Sequence, residues 1–107
     1  MQIDDDFRIA DDQTIGSLRK IVGSFAPGYF IERVYLFGSR SRGEYSAGSD
    51  YDLCVVPGEG CRLLDLGGFL QDMEDALGCE VNVISRTGMS DRFLKTVEPD
   101  LRLVYEA

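Results

Sequence analysis

Gly38-Ser39 stands ten residues ahead of Asp50-Tyr51-Asp52. A glycine turn frees backbone N–H groups that can receive phosphate oxygens. Two carboxylates at alternate positions of a strand lie about 6–7 Å apart on one face and can share one or two magnesium ions. Magnesium takes few protein ligands and completes its shell with water and phosphate oxygens, so a pair of aspartates suffices. These are the two halves of a metal–nucleotide site. The whole stretch reads GSRSRGEYSAGSDYDL, from Gly38 to Leu53. Ser39 adds a hydroxyl and opens the turn, Arg40 and Arg42 add positive charge beside it, and Gly43 ends it. Either half alone would read as a surface loop or a solvated strand start. Their pairing, each beside the strand it requires, points to a site.

The elements that must position these residues follow from periodicity. Ile15, Leu18, Ile21, Val22 and Phe25 recur at helical spacing, which predicts a first helix from Ile9 to Phe25, stopped by Pro27-Gly28. Ile31 to Phe37 is rich in β-branched and aromatic residues and predicts a strand running into Gly38. Ser39 to Gly43 can wind as one helical turn. A second strand, Tyr51 to Val56, leaves from the aspartates and ends at Pro57-Gly58. Its period of two sends Asp50, Asp52 and Cys54 to one side, and Tyr51, Leu53 and Val55 to the other. A second helix is expected from Leu63 to Leu77, apolar at Leu63, Leu66, Phe69, Leu70, Met73 and Leu77, with Gly78 as its stop. A strand from Glu80 to Ile84, a helix from Ser90 to Val97 and a short apolar tail from Leu101 to Tyr105 complete the chain. The fold class is α/β (α+β), with a small mixed sheet packed by helices.

Composition narrows the chemistry. The 107 residues give room for one domain, spanning 1–107, with one modest core. Histidine is absent, which removes imidazole acid–base catalysis and most zinc sites. Chemistry here must run on carboxylates, hydroxyls or a hard cation. The formal net charge of −8 argues against direct DNA binding and favours a small phosphorylated ligand or a basic protein partner. Apolar residues make up 44 % of the chain but form no run of spanning length, so no membrane segment is expected. The start, MQIDDDF, is acidic where a secretory signal is basic. Three cysteines, Cys54, Cys61 and Cys79, form no CxxC pair and read as reduced thiols of a cytoplasmic protein.

The chain resembles the minimal nucleotidyltransferase (MNT) domains of the DNA polymerase β superfamily, of the antitoxin type. The resemblance rests on Gly38, Ser39, Arg42-Gly43, Asp50 and Asp52, and on the order of elements around them. It implies transfer of a nucleoside monophosphate, AMP from ATP, to a hydroxyl, with pyrophosphate leaving. Gly38 and Ser39, with Arg42 beside them, would bind the nucleotide. Asp50 and Asp52 would hold Mg2+ or Mn2+. It further implies a partner, a HEPN-type toxin protein that carries the accepting hydroxyl.

One position departs from that pattern. The family carries a third acid on the next strand, and here the stretch reads Val81-Asn82-Val83-Ile84. An amide oxygen can ligate magnesium, but an amide cannot accept the nucleophile's proton. Glu80 lies on the same face and would take that place only if the strand shifted by two residues. The alternative expectation is therefore a weakened or non-catalytic module acting by protein contact. Other residues read more simply as structure. Tyr35 packs, Tyr45 lies on an exposed loop, Cys54 fills space, and Asp72, Glu74 and Asp75 form a solvated helix face. Asp4-Asp5-Asp6 and Asp11-Asp12 supply solubility and helix-start charge, and Arg86 and Arg92 are surface arginines. The apolar tail can pack within the chain or in a homodimer.

Overall fold

The computed structural model describes residues 15–46 and 48–107. Helix α1 occupies residues 15–25 and buries Ile15, Leu18 and Val22. The expected earlier part of that helix, Ile9 to Thr14, and the acidic clusters at Asp4-Asp5-Asp6 and Asp11-Asp12 lie outside the described residues. A short 3-10 turn, Ala26–Tyr29, takes Pro27 in its opening positions and leads into β1 (Ile31–Phe37). Then come α2 (Ser39–Arg42), β2 (Tyr51–Pro57), α3 (Leu63–Leu77), β3 (Val81–Ser85), α4 (Asp91–Val97) and β4 (Arg102–Glu106).

The four strands form one mixed sheet in the order β3-β2-β1-β4. β1 pairs antiparallel with both β2 and β4, while β2 pairs parallel with β3 across the α3 crossover. Alternation then divides the side chains. Val34, Leu36, Tyr51, Leu53, Val55 and Val81 enter the main core with Leu18, Val22, Phe69 and Met73. Phe37 and Cys54 turn to the opposite face, where Val97 covers them and Phe37 meets Phe93 edge to face at 6.2 Å. The second face is covered only in part, because α4 is two turns long. Asp52 and Asn82 stand on that face.

Three expectations need correction. The third strand begins at Val81 rather than Glu80, although the Glu80 carbonyl still accepts a bond of 3.0 Å from the Tyr51 N–H. The apolar tail is a fourth strand: Leu36 pairs with Arg102 and Tyr35 with Leu103, so its apolar residues serve this chain's own sheet. Leu63, expected on the buried face of α3, is 85 % exposed. It sits in the first turn of α3, ahead of Phe69 and Met73, which carry the helix's buried contacts.

α3 is held against the preceding turn by a close approach. A Cβ at Gly68 would lie 2.7 Å from the Tyr29 ring, so only glycine lets that ring pack there. The Tyr29 hydroxyl donates to the Asp72 carboxylate, one residue of the helix face expected to be merely solvated. This bond, with burial added, pushes the Tyr29 phenol above its ordinary pKa.

Phe69 is fully buried and Leu63 is not, which separates their energetics. Phe69→Ala is expected to cost about 3–5 kcal/mol. Leu63→Ala is expected to stay within about 0.5 kcal/mol of the parent. Urea unfolding followed by far-ultraviolet circular dichroism measures both.

Candidate active site

The site begins where β1 ends. Gly38 has φ 77° and ψ −158°, a region open essentially to glycine alone, and this turns the chain out of the sheet. The Gly38 carbonyl accepts from the N–H groups of Ser41 and Arg42 at 3.1 and 3.2 Å, closing the turn of α2. Gly43 ends it in the left-handed conformation, its N–H on the Ser39 carbonyl. N–H groups that open such a turn have no acceptor within it. The motif's turn thus has the conformation expected from sequence.

Gly38 has a second role that the turn alone does not disclose. A Cβ there would lie 2.3 Å from Asp52 Oδ2. The missing side chain is the space that the carboxylate occupies. Asp52 is the second residue of β2, in register with Phe37 on one side and Asn82 on the other. Its second oxygen, Oδ1, accepts a bond of 2.9 Å from the Asn82 Nδ2 amide. Asp50 precedes β2 by one residue and is exposed. Between them Tyr51 is buried on the core side, and Asp50 stands directly before the strand, two residues from Asp52.

The observed register decides between Asn82 and Glu80. Asn82 lies opposite Asp52, and the two-residue shift that would bring Glu80 there is not adopted. The Glu80 side chain is exposed, as expected of an edge carboxylate. Asn82 directs its donor at Asp52, which leaves the amide oxygen as a ligand of the hard kind. A carboxylate at position 82 would face Asp52 at the same distance and repel it unless a cation or proton lay between them.

The two arginines that add charge beside the turn are held differently. Arg40 is buried at 6 % exposure, with its guanidinium on backbone carbonyls: Nε and Nη2 donate to Ser49 O at 3.1 and 2.9 Å, and Nη2 to Ser46 O at 3.4 Å. It lies 4.0 Å from the centre of the Tyr51 ring and 4.7 Å from that of Tyr45. Tyr45 is accordingly half-buried rather than a freely exposed loop residue. Arg42 binds Glu44 at 2.9 Å and Asp100 at 2.8 Å, and these bonds hold its guanidinium firmly protonated. Its charge is balanced by two carboxylates beside the turn. The Ser41 hydroxyl donates to the Asp100 carbonyl, and Arg102 Nη1 to the Ser41 carbonyl at 3.4 Å. The C-terminal segment therefore ties down the back of α2.

Cys54 follows Asp52 on the same face, fully buried with Sγ 3.8 Å from Met89 Sδ. Burial pushes its thiol up, which keeps it protonated and supports the reading as filler. Tyr35 is half-buried and accepts a bond of 3.3 Å from Arg33. Both line a cleft of about 280 Å3 that continues along the sheet face towards Leu94 and Leu101. Arg86 stands at its rim; Arg92 lies on exposed α4.

The donor set is therefore two carboxylates and an amide oxygen. Among the described residues no cluster of three or more histidine, cysteine, aspartate or glutamate side chains is present. Nor does any ion pair among the described residues engage Asp50 or Asp52. Oxygen donors without a cationic partner fit magnesium or manganese and exclude a soft-metal site.

Residues 15–104 match the nucleotidyltransferase domain family, a span that holds every residue of this site. The chain belongs to that family. It is similar to a candidate minimal nucleotidyltransferase of known structure, with 33 % identity and a TM-score of 0.73 over 84 % of this chain and 92 % of the other. It is 42 % identical over 55 residues, 51 % of its length, to a candidate protein adenylyltransferase of Methanocaldococcus jannaschii. That match spans 59 % of the archaeal protein. The fold is also that of a chain in the complex of a tri-AMPylated Shewanella oneidensis HEPN toxin with an MNT antitoxin. There the TM-score is 0.63 at 18 % identity, over 91 % of this chain and 73 % of the other. The mixed four-stranded sheet and its helices are those of the family.

In this nucleotidyltransferase domain Gly38→Ala is expected to damage the site at its centre. The backbone conformation would cost about 1–3 kcal/mol, and the new methyl would displace the Asp52 carboxylate. Thermal unfolding should show the lowered stability. Calorimetric titration with magnesium–ATP should show at least tenfold weaker binding, whereas Gly67→Ala, in open space on α3, leaves binding unchanged.

Proposed function

We propose that this chain is a magnesium- or manganese-dependent nucleotidyltransferase that moves AMP from ATP to a hydroxyl of a HEPN-type partner protein in the cytoplasm. The observation that carries this reading is the Asp52 carboxylate seated in the space that Gly38 leaves open. It sets the turn that would receive phosphate directly against one of the carboxylates that would hold the cation. The archaeal adenylyltransferase relative and the AMPylated toxin complex support AMP as the group moved and a HEPN protein as its acceptor.

Gly38 and Ser39 would receive the β- and γ-phosphates on backbone N–H groups and a hydroxyl. Asp50 and Asp52 would hold the cation, and the Asn82 amide would keep Asp52 in place. When bound, the cation neutralises charge on the attacking and leaving oxygens of an in-line displacement. The acceptor oxygen forms a bond to the α-phosphorus, the bond to the bridging oxygen of the β-phosphate breaks, and pyrophosphate departs. The hydroxyl proton passes to water or to a phosphate oxygen, because Asn82 cannot take it. The protein's contribution is position and charge balance rather than proton transfer.

Asn82 also favours a second reading, in which the chain binds nucleotide and neutralises its partner by contact without turnover. A single assay separates the two. The chain is incubated with α-labelled ATP, magnesium and a HEPN-type protein, and label on that protein is counted. Transfer is expected, and Asp52→Ala should lower it by about 10²–10³-fold or more. Binding of the partner with no label transferred would establish the contact reading instead.

Asn82→Asp gives a further outcome of defined sign. Without metal the facing carboxylates should lower the unfolding temperature, and millimolar magnesium should restore it. With magnesium present, the transfer rate should rise by about 10²-fold or more as a base is supplied.

A further inference from the structure

Asp52 sits inside a strand ladder and is fixed by its neighbours there. Asp50 has no such support: it lies outside β2, at the end of the loop that joins α2 to β2. What holds that loop is Arg40. Its guanidinium grips the carbonyl of Ser49, the residue immediately before Asp50, through two donors, and reaches the Ser46 carbonyl with one of them. The ring of Tyr51, immediately after Asp50, lies against the same guanidinium. The ring of Tyr45, at the start of the loop, lies 4.7 Å from it, centre to Cζ. Within the loop the Ser49 N–H meets the Ser46 carbonyl at 3.1 Å, and the Ser46 N–H meets Ser49 Oγ at 2.9 Å.

Residues on both flanks of Asp50 thus meet one planar cation. The cation itself belongs to α2, the turn opened by Gly38-Ser39. A planar, multiply donating head that also meets aromatic rings is a task that guanidinium performs and ammonium does not. From this geometry we infer that Arg40 is a positioning residue: it sets Asp50, the second carboxylate of the proposed cation site, relative to the turn opened by Gly38-Ser39. Resting on the proposed function, the inference assigns Arg40 no contact with nucleotide. It separates the two aspartates by their support, Asp52 by the sheet and Asp50 by Arg40.

The test is Arg40→Lys in the full chain, which keeps the positive charge and loses the fork and the stacking. The magnesium concentration needed for half-maximal ATP binding is measured by calorimetry. It is expected to rise at least tenfold, while ATP affinity at saturating magnesium stays within about threefold of the parent. Tyr45→Ala, which loosens the same loop from its outer side without emptying the buried site, should move the magnesium requirement in the same direction by a smaller factor. A magnesium requirement unchanged in both variants overturns the inference. A loss of ATP affinity that excess magnesium does not restore also overturns it, since general damage to the fold acts that way. If the parent chain binds no magnesium–ATP, the proposed function fails on its own. Hydrogen exchange then decides on Arg40. Faster exchange of the Ser49 and Asp50 amides in Arg40→Lys, with β1 and β2 unchanged, supports the positioning role, and equal exchange overturns it.

Discussion

The arrangement depends on one close approach: a carboxylate occupying the volume that a side chain at Gly38 would take. Gly38 ends β1, and Asp52 belongs to the strand beside it. Antiparallel pairing of those strands puts Phe37 opposite Asp52, so the residue after Phe37 must leave the sheet where the aspartate side chain rises from it. Only a residue without Cβ, in a conformation closed to others, can leave in that direction and still admit the carboxylate. The turn that frees N–H groups and the carboxylate proposed to hold a cation are therefore one steric solution.

Mixed pairing supplies the other wall. β2 lies antiparallel to β1 and parallel to β3, so Asp52 is flanked by Phe37 and Asn82 on one face. That face is covered by a short helix and a partial cluster around Phe37, Cys54 and Val97, which leaves the carboxylates reachable. The opposite face carries the main core, where Phe69, Met73, Leu36 and Leu53 are fully buried. Burial there holds the strands rigid and frees the site face from a packing role. A preorganised charge site needs this division, because its groups must be held without being desolvated by apolar cover.

Much of this was legible from local pattern. Alternation named the face of Asp52 and the burial of Tyr51, Leu53 and Val55. The glycine stops placed the ends of α2 and α3, and the motif spacing named Gly38 and Asp52, which the fold brings into contact. What escaped was contact across long chain separations. Arg42 meets Asp100, and Ser41 meets the Asp100 carbonyl, through a segment that has no helical or alternating signal. The tail from Leu101 to Tyr105 is too short and too evenly apolar to distinguish a strand from packing residue by residue. In sequence Arg40 is a charge beside the turn, and nothing in its spacing marks it as buried. Its burial depends on two tyrosines and two backbone carbonyls whose convergence no spacing rule encodes.

Asn82 shows how one atom type can be read two ways. Compared with a family pattern it is a missing acid. Compared with its neighbours it is a donor placed on the Asp52 carboxylate, and a second acid at that point would meet like charge at hydrogen-bond distance. A three-carboxylate site is electrostatically strained until a cation arrives, so its geometry and its metal are coupled. Replacing the third acid by an amide relaxes that coupling. Asp52 is then held by a neutral partner whether or not metal is bound, and the site keeps its shape at the expense of a proton acceptor. The same substitution that weakens the case for rapid chemistry strengthens the case for a pocket formed before its ligand arrives. Rate and preorganisation thus pull in opposite directions at this residue.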